Sequence, residues 1–339
     1  MKIETNLEAY NYNLPQKLIA KNPIYPKSKA KLLVYKKNED KVIHTSFKYF
    51  FDFIPKDCLI VLNDTKVLPA RIYGKKQSGA KIELLYHKTI KKNKFLVQIK
   101  GKVKVNDILE FDDNLICNIL ELKDNGLRIV EFYKNNKLLD SINLFKILES
   151  IGHTPLPPYI KRKDDINDRL NYQSVFAKNL GSIAAPTASL HFSKNDINKI
   201  KKLNHCFITL HIGAGTFFNV EADDITKHKI HKEDYFISDI AKEKIDNAKK
   251  ILCIGTTATR CVEYYTKTKI LNGECDIFIH PLNPPLKTKY LLTNFHLPKS
   301  TLLMLVSSFI GLSKTKSIYE IAKENQYRFY SYGDGMLII

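Results

Sequence analysis

The chain has 339 residues, which exceeds the size at which one hydrophobic core usually stops growing but is short for three domains. With 44% hydrophobic residues, 18 Tyr and 18 Phe, its composition excludes a disordered protein and predicts two globular domains. The formal net charge of +19 favours a polyanionic partner such as RNA. Codon bias explains the charge equally well, because the lysines are spread along the chain without a long basic block.

The cysteines and the apolar segments bear on the compartment. The six cysteines show no CxxC pair and no zinc-finger spacing, so we expect neither a disulfide framework nor a structural metal site. The first residues include acids where a secretory signal would be apolar, and the most apolar stretch, residues 301–312, is too short to span a bilayer. These features predict a cytoplasmic protein without a membrane segment.

The segment from residue 58 to about residue 133 consists of short apolar runs broken by Gly, Asn, Asp and Lys, which is the pattern of strands and turns. Apolar residues alternate at positions 95, 97 and 99, and Asn125-Gly126 lies between two strand-like runs, as in a tight hairpin. This part of the chain is predicted to be rich in β-structure.

A proline-rich segment after Gly152 indicates a boundary, because prolines lack the N–H that helices and central strands use. Beyond it, the apolar runs 207–212 and 251–254 alternate with helical segments, one of which begins with a capping box at Ser193 and Asp196. The C-terminal half is therefore predicted to be α/β, without an internal repeat.

Polar residues or glycines follow three of the predicted strands. Residues 63–65 come after an apolar run, where loops often hold ligands, although an Asx turn is the simpler local explanation. Gly213 and Gly215 permit close approach of a ligand, but the third glycine of a dinucleotide fingerprint is missing. Gly255 precedes a helix N-terminus at residues 256 and 257, where free N–H groups favour a carboxylate or phosphate and a threonine equally suits a plain cap.

Two further segments carry polar residues for which a functional and a structural explanation both exist. His228, His231 and Glu233 lie close in sequence but offer neither an HExxH helix nor a thiolate, so proton transfer or a solvated face is favoured over metal binding. Residues 290–311 embed Asn294 and His296 in an apolar context. Because buried polar groups need partners, this segment is either a functional wall or a satisfied part of the core.

Ten segments occur in a defined order between Asn13 and the C-terminus: LPQKLIAKNPIYPKSKAKLLV, LNDTKVLPARIYG, GAKIELL, GHTPLPPYIKR, GSIAAPTASLHFS, TLHIGAGTFFNV, HKIHKEDY, GTTATR, LLTNFHLPKSTLLMLVSSFIG and YRFYSYGDGMLI. In this order they resemble the S-adenosylmethionine:tRNA ribosyltransferase-isomerase family, whose members act on 7-aminomethyl-7-deazaguanine in tRNA. Ser189 and Gly335 stand where Gly and Ala are expected, Glu221 stands where Arg is common, and HPLNPPLKTKY replaces a YPGY-type stretch. These departures concern the local binding surface.

The resemblance implies a mixed α/β fold. A larger unit, residues 1–66 and 152–339, is expected to hold a distorted β-barrel with flanking helices. A smaller all-β unit, residues 67–151, is expected to be inserted into it. We expect a monomer whose partners are S-adenosylmethionine and tRNA that carries the modified base at the wobble position, with no membrane partner.

The implied reaction moves and isomerises the ribosyl group of S-adenosylmethionine onto the tRNA base, giving epoxyqueuosine-tRNA, adenine and methionine. S-adenosylmethionine is then a consumed substrate, and neither a cofactor nor a metal is expected. The sulfonium makes the ribose C5′ protons acidic, so the site needs a base near C5′, an acid near adenine and acceptors that keep the incoming amine neutral. Histidine suits the first two roles because its pKa lies near working pH.

The base and the acid are expected among four histidines of the matching segments, which the sequence does not rank: His191, His211, His231 and His296. Substrate contacts are expected from further residues of the same segments: Asn63, Asp64, Thr65, Arg71, Thr187, Gly213, Gly215, Thr216, Gly255, Thr256, Thr257, Arg260, Asn294, Lys299, Ser300, Arg328 and Asp334. The two aspartates would accept hydrogen bonds from ribose or base, or else fix turns. The three arginines would bind the methionine carboxylate or phosphates, or else form structural salt bridges.

Two other functions compete with this interpretation. An ordinary S-adenosylmethionine-dependent RNA methyltransferase would share the substrate and the charge but would release S-adenosylhomocysteine. A non-catalytic RNA-binding protein built on the β-rich segment lacks an RNP-like aromatic motif, and the polar strand-end residues lie outside that segment.

Overall fold

The computed structural model describes residues 3–213, 215, 220 and 222–339. Seven α-helices lie within these residues: α1 (Ser141–Ile151), α2 (Asp168–Asn171), α3 (Lys194–Lys201), α4 (Asp239–Asn247), α5 (Thr256–Thr268), α6 (Thr301–Ile310) and α7 (Leu312–Glu324). The strands of the same residues are β1 (Lys31–Lys36), β2 (Lys41–Ser46), β3 (Leu59–Asn63), β4 (Thr65–Val67), β5 (Arg71–Lys76), β6 (Lys81–Lys91), β7 (Lys94–Lys100), β8 (Ile108–Phe111), β9 (Leu115–Leu122), β10 (Leu127–Lys134), β11 (Lys137–Leu138), β12 (Asn179–Ser182), β13 (His205–Leu210), β14 (Glu233–Phe236), β15 (Ile251–Ile254), β16 (Asn272–Cys275), β17 (Thr288–Asn294) and β18 (Gly335–Ile338). Short 3-10 helices, such as Phe47–Phe53 and Thr187–His191, connect several of them.

The larger sheet has nine strands in the order β16-β14-β13-β3-β15-β17-β18-β1-β2. Its four central strands, β13, β3, β15 and β17, run parallel. Strand β3 is buried along its whole length, as expected for a parallel strand covered on both faces. Leu59 and Val61 pack into the core that contains α4 to α7, whereas Ile60 and Leu62 pack into the core on the opposite face.

The smaller sheet closes into a barrel. Strands β10, β7, β6, β5, β8 and β9 pair in that order, and β9 pairs back with β10. The barrel has its own core, to which α1 contributes Leu144, Ile147 and Leu148. Closure removes the exposed sheet edges that promote aggregation. Asn125 and Gly126 connect β9 to β10 with φ of 54° and 75°, so the hairpin predicted from the Asn-Gly pair is confirmed.

The mixed α/β class is confirmed, and the smaller unit is β-rich, with the helix α1 packed against its barrel. The closed barrel, however, lies in the smaller β-rich unit, whereas the described strands of the larger unit pair as an open sheet that ends at β16 and β2. Helices and loops cover both faces of the parallel strands, and this covering lets the larger sheet stay open. The six barrel strands span residues 71–134, and the unit boundaries at 67 and 151 stay predictions.

Three simpler expectations can be compared with the structure. All six cysteines lie within the described residues and are buried and free. The capping box at Ser193 is present, because its side chain and that of Asp196 bond each other's backbone N–H at the start of α3. Among the helices of the described residues, not one is long and apolar enough to cross a membrane.

Candidate active site

The polar strand-end residues meet at one edge of the larger sheet. Strands β3, β15 and β17 end at Asn63, Ile254 and Asn294, and the carboxyl ends of parallel strands lie side by side. A cleft lies over this edge. Its empty volume, which includes the solvent at its opening, is about 900 Å³. We call it the strand-end cleft. Predicted site residues that line it are Thr187, Gly255, Thr256, Thr257, Arg260, Asn294, His296 and Ser300.

The N-terminus of α5 forms one wall of the strand-end cleft. Gly255 has a φ of 92°, a conformation that favours glycine and turns the chain directly from β15 into the helix. The first helical bond runs from the Thr259 N–H to the Gly255 carbonyl at 3.2 Å, so the N–H groups of Thr256 and Thr257 precede the helical ladder. Such a helix end stabilises a carboxylate or a phosphate.

His296 forms a second wall. Its ring Nε2 lies 2.8 Å from Thr293 Oγ1. Its backbone N–H donates to the Tyr319 hydroxyl, and its backbone carbonyl accepts from the Tyr12 hydroxyl. Burial lowers the pKa of His296 to about 3. The ring is therefore neutral near pH 7.

His191 lies behind the cleft, where it contacts Asn294, a residue that lines the cleft. The Asn294 amide faces His191 Nε2 at 3.3 Å and accepts from Thr187 Oγ1 at 2.8 Å. The His191 ring stacks on Phe47 with 4.9 Å between ring centres. Burial, with the charges of Arg328 and Lys27, lowers the pKa of His191 to about 3. This histidine thus orients a cleft residue from the core.

A second cavity lies between the barrel and the larger sheet, with an empty volume of about 1250 Å³. We call it the inter-unit cavity. His211, His231, Gly213 and Gly215 line it from the larger unit. A Cβ on Gly215 would lie 2.3 Å from the His231 ring, so only glycine permits this approach. The four predicted histidines therefore do not form one cluster: His211 and His231 line the inter-unit cavity, His296 lines the strand-end cleft, and His191 lines neither.

His211 is held in the inter-unit cavity by local contacts. Its Nδ1 lies 2.8 Å from Thr65 Oγ1, and its ring covers Gly181, where a Cβ would meet the ring at 2.9 Å. Burial lowers the pKa of His211, partly offset by the carboxylates of Asp234 and Asp64. The neutral ring is fixed by one nitrogen, which leaves Nε2 for another partner.

Glu233 separates the two cavities and lines both. It is 4% exposed, forms an ion pair with Arg260 and accepts from the Gly213 N–H at 3.1 Å. Arg260 also donates to the carbonyls of Ile277 and Cys275. Arg260 thus lines the cleft, but its guanidinium is bonded to Glu233 and to backbone carbonyls. Glu233 was considered from the sequence for proton transfer, for a solvated face and for a metal site, and its position between two cavities was not predicted.

Residues 63–65 serve the framework of the site. Asn63 accepts from the N–H groups of Thr65 and Leu210 at 3.1 and 3.0 Å and donates to Thr257 Oγ1 at 3.1 Å. It thereby joins β3, β13 and the start of α5. Asp64 accepts from Thr209 Oγ1 at 2.6 Å and has further contacts with the Asn179 amide. The Asx turn is present, and these side chains position the cleft walls.

The side chains of the remaining predicted residues, where the structure describes them, form contacts with other protein groups. Arg71 pairs with Glu83 at 3.2 Å on the barrel, and Lys299 pairs with Glu8. Arg328 pairs with Asp334 at 3.1 Å. Ser300 lines the cleft but caps α6, accepting from the Leu303 N–H at 3.2 Å. Thr216, like the divergent Glu221, lies outside the described residues.

Histidines and a carboxylate line both cavities. Within the part of the chain that the structure describes, no group of three or more His, Cys, Asp or Glu side chains is arranged to hold a metal ion.

The fold and the two cavities define an α/β protein with a ligand cleft at the carboxyl ends of its parallel strands and a β-barrel beside it. Residues 7–338 match the family described as queuosine biosynthesis protein. The chain therefore belongs to the family of queuosine biosynthesis proteins.

Relatives cover the chain from end to end. Proteins named S-adenosylmethionine:tRNA ribosyltransferase-isomerase from Helicobacter acinonychis (strain Sheeba) and Campylobacter fetus subsp. fetus (strain 82-40) are each 54% identical. The alignments cover 99% and 98%, respectively, of both chains. The crystal structure of S-adenosylmethionine tRNA ribosyltransferase from Thermotoga maritima is similar with a TM-score of 0.55 and 27% identity, covering 98% of this chain and 100% of that one.

Proposed function

We propose that this chain transfers and isomerises the ribosyl group of S-adenosylmethionine onto 7-aminomethyl-7-deazaguanine in tRNA. The products are epoxyqueuosine-tRNA, adenine and methionine. The observation that carries the proposal is the pair of cavities that share Glu233 as a wall. A reaction that joins a small molecule to a tRNA base needs two binding sites that meet at the reacting atoms.

S-adenosylmethionine binds in the strand-end cleft under this proposal. The N–H groups at the start of α5 suit its methionine carboxylate, since a helix N-terminus favours a negative charge. His296 contacts the bound substrate as a neutral ring. No separate cofactor or metal enters the reaction, because the sulfonium itself acidifies the C5′ protons.

The tRNA base binds in the inter-unit cavity. An enzyme that acts on a base in RNA must take the base out of its stack into a pocket. His211 and His231 line this cavity, and the neutral imidazole of His211 can accept a proton or a hydrogen bond from the amine. We further propose that the protein acts as a cytoplasmic monomer.

Product analysis tests the proposal. The protein is mixed with S-adenosylmethionine and tRNA that carries the aminomethyl base, and the small-molecule products are separated by chromatography. We expect adenine and methionine in equal amounts, and neither with tRNA that carries guanine at the same position. Release of S-adenosylhomocysteine would show an ordinary methyltransferase, and tight binding of tRNA without turnover would show an RNA-binding protein.

A further inference from the structure

Strand β6 carries a β-bulge at a histidine that faces the inter-unit cavity. In the pairing of β6 with β7, Tyr86 lies opposite Val97 and Lys88 lies opposite Leu96, so His87 is the extra residue. A bulge turns a side chain out of the regular alternation of the strand and is frequent beside active sites. His87 lines the inter-unit cavity from the barrel side.

One ring nitrogen of His87 is buried without a hydrogen-bond partner in the described part of the chain. Nε2 is a buried atom, and among the residues that the structure describes none bonds to it. A buried polar atom left unsatisfied costs free energy and requires an explanation. Because the atom belongs to a side chain on the wall of a large cavity, a ligand in that cavity is the explanation that the geometry favours.

The other ring nitrogen explains why Nε2 is an acceptor. Gln98 is a hydrogen-bond partner of the His87 ring, and its amide nitrogen already donates to the Asn125 carbonyl at 3.2 Å. Because the hydrogen bond with Gln98 raises the pKa of His87, the ring is the donor, and because Nε2 has no partner among the described residues, the bond runs from Nδ1–H to the Gln98 amide oxygen. A neutral imidazole has one donor and one acceptor, so Nε2 accepts.

The charge state of His87 agrees with this assignment. The pKa of His87 is lowered to about 4, chiefly by burial, which the hydrogen bond with Gln98 partly opposes and the nearby His231 reinforces. The ring is neutral near pH 7 and so does not repel a cationic or partly cationic amine. His211 and His231 line the same cavity, which gives it several nitrogen acceptors and no metal-binding arrangement among the described residues.

We propose that His87 Nε2 accepts a hydrogen bond from the aminomethyl group of the tRNA base, which makes His87 a residue that determines specificity for the modified base. The proposal rests on the proposed function and assigns the barrel a part in substrate recognition. The barrel then supplies one wall of the base pocket, and the larger unit supplies the opposite wall with His211 and His231.

Two substitutions separate the ring nitrogens. Asn in His87→Asn retains a polar atom near Nδ1 and loses Nε2, whereas Gln in His87→Gln extends a polar atom toward the Nε2 position. His280→Asn is a matched control, because His280 also has an unpartnered buried ring nitrogen but does not line the inter-unit cavity. The measurement is the ratio of affinities for tRNA with the aminomethyl base and tRNA with guanine.

We expect His87→Asn to lower this ratio about 10-fold, the loss of one hydrogen bond to a buried acceptor. His87→Gln should retain most of it, and His280→Asn all of it. Binding of labelled S-adenosylmethionine and the melting temperature, measured on the same samples, should stay near wild type for His87→Asn.

An unchanged ratio in folded His87→Asn, or an equal loss in His280→Asn, would overturn the role of His87. The proposed function would stand with either result if the wild-type protein discriminates between the tRNAs and releases adenine. A wild-type protein that neither discriminates nor releases adenine would overturn the proposed function and this inference with it.

Discussion

His211 is the residue whose surroundings most favour a part in proton transfer. Thr65 holds its Nδ1 at 2.8 Å, and the ring lines the inter-unit cavity. If it acts as acid or base, His211→Ala should lower single-turnover release of adenine roughly 10²–10⁴-fold. Thr65→Val should cause a smaller loss, since it removes only the orientation. Near-normal release in well-folded His211→Ala, with the melting temperature measured beside it, would remove His211 from the mechanism.

Two buried histidines make the stability of the protein depend on pH. The pKa values of His191 and His296 are lowered to about 3 in the folded protein, against a usual value near 6.5. Between these values the unfolded chain binds more protons than the folded one, so the free energy of unfolding falls as pH falls below 6.5. The fall is about 1.4 kcal/mol per pH unit for each histidine.

Denaturant unfolding at pH 6.5 and pH 5 measures this slope. His296→Gln, which keeps a polar atom near Thr293, should have the shallower slope, because one of the titrating groups is gone. Equal slopes for the variant and the wild type would show that His296 does not titrate as its burial requires.

Many of the residues predicted from the sequence line one of the two cavities, but few of their contacts were predicted. Asn63 and Asp64 were predicted because they follow an apolar strand, and their side chains accept hydrogen bonds from Leu210 and Thr209 of the distant strand β13. Glu233 and His87 were not assigned to substrate. Glu233 gains its position from a long-range partner, Arg260, and His87 gains its direction from a bulge, and neither feature is visible in local alternation.

At the scale of elements, one buried ion pair joins β14 to α5. Glu233 is on the strand and Arg260 on the helix, with side chains 3% and 8% exposed. Arg260→Met leaves a buried carboxylate without its partner, so the protein should lose about 3–5 kcal/mol of stability. The double variant Glu233→Leu with Arg260→Met should recover part of the loss, because no charge stays buried. Denaturant unfolding compares them, and a single variant as stable as the double one would contradict this account.

The elements that follow from local patterns were predicted better than those that depend on distant pairing. Apolar alternation and the Asn-Gly pair predicted the strands of the barrel, and Ser193 with Asp196 predicted the start of α3. Closure of the barrel depends on β9 pairing with β10 and β5 pairing with β8, which local periodicity does not specify. The resemblance implied a barrel and placed it in the larger unit, where the described strands form an open sheet.

The divergent segment after Phe278 shows how a departure from a family pattern is accommodated. The buried carboxylate of Glu263 on α5 accepts from the N–H groups of Leu286, Lys287 and Thr288. These bonds anchor the end of the segment to the helix that forms a wall of the strand-end cleft. The unusual sequence therefore enters β17 in a fixed position.

At the scale of the whole molecule, the net charge of +19 makes binding of tRNA sensitive to salt. Each phosphate neutralised by a lysine or arginine releases counterions, so tRNA affinity should fall steeply, with a linear dependence of log affinity on log salt. Filter binding over a range of potassium chloride concentrations measures this dependence. An affinity that is constant across the range would show that the basic surface does not contact the tRNA.

In the proposed reaction the ribosyl group, and not the methyl group, of S-adenosylmethionine moves to tRNA. The most direct measurement uses S-adenosylmethionine labelled with one isotope at ribose C5′ and another in the methyl group, with tRNA that carries the aminomethyl base. The account predicts that the ribose label enters the tRNA in a one-to-one ratio with released adenine, while the methyl label leaves with methionine. Methyl label in the tRNA without ribose label would contradict it.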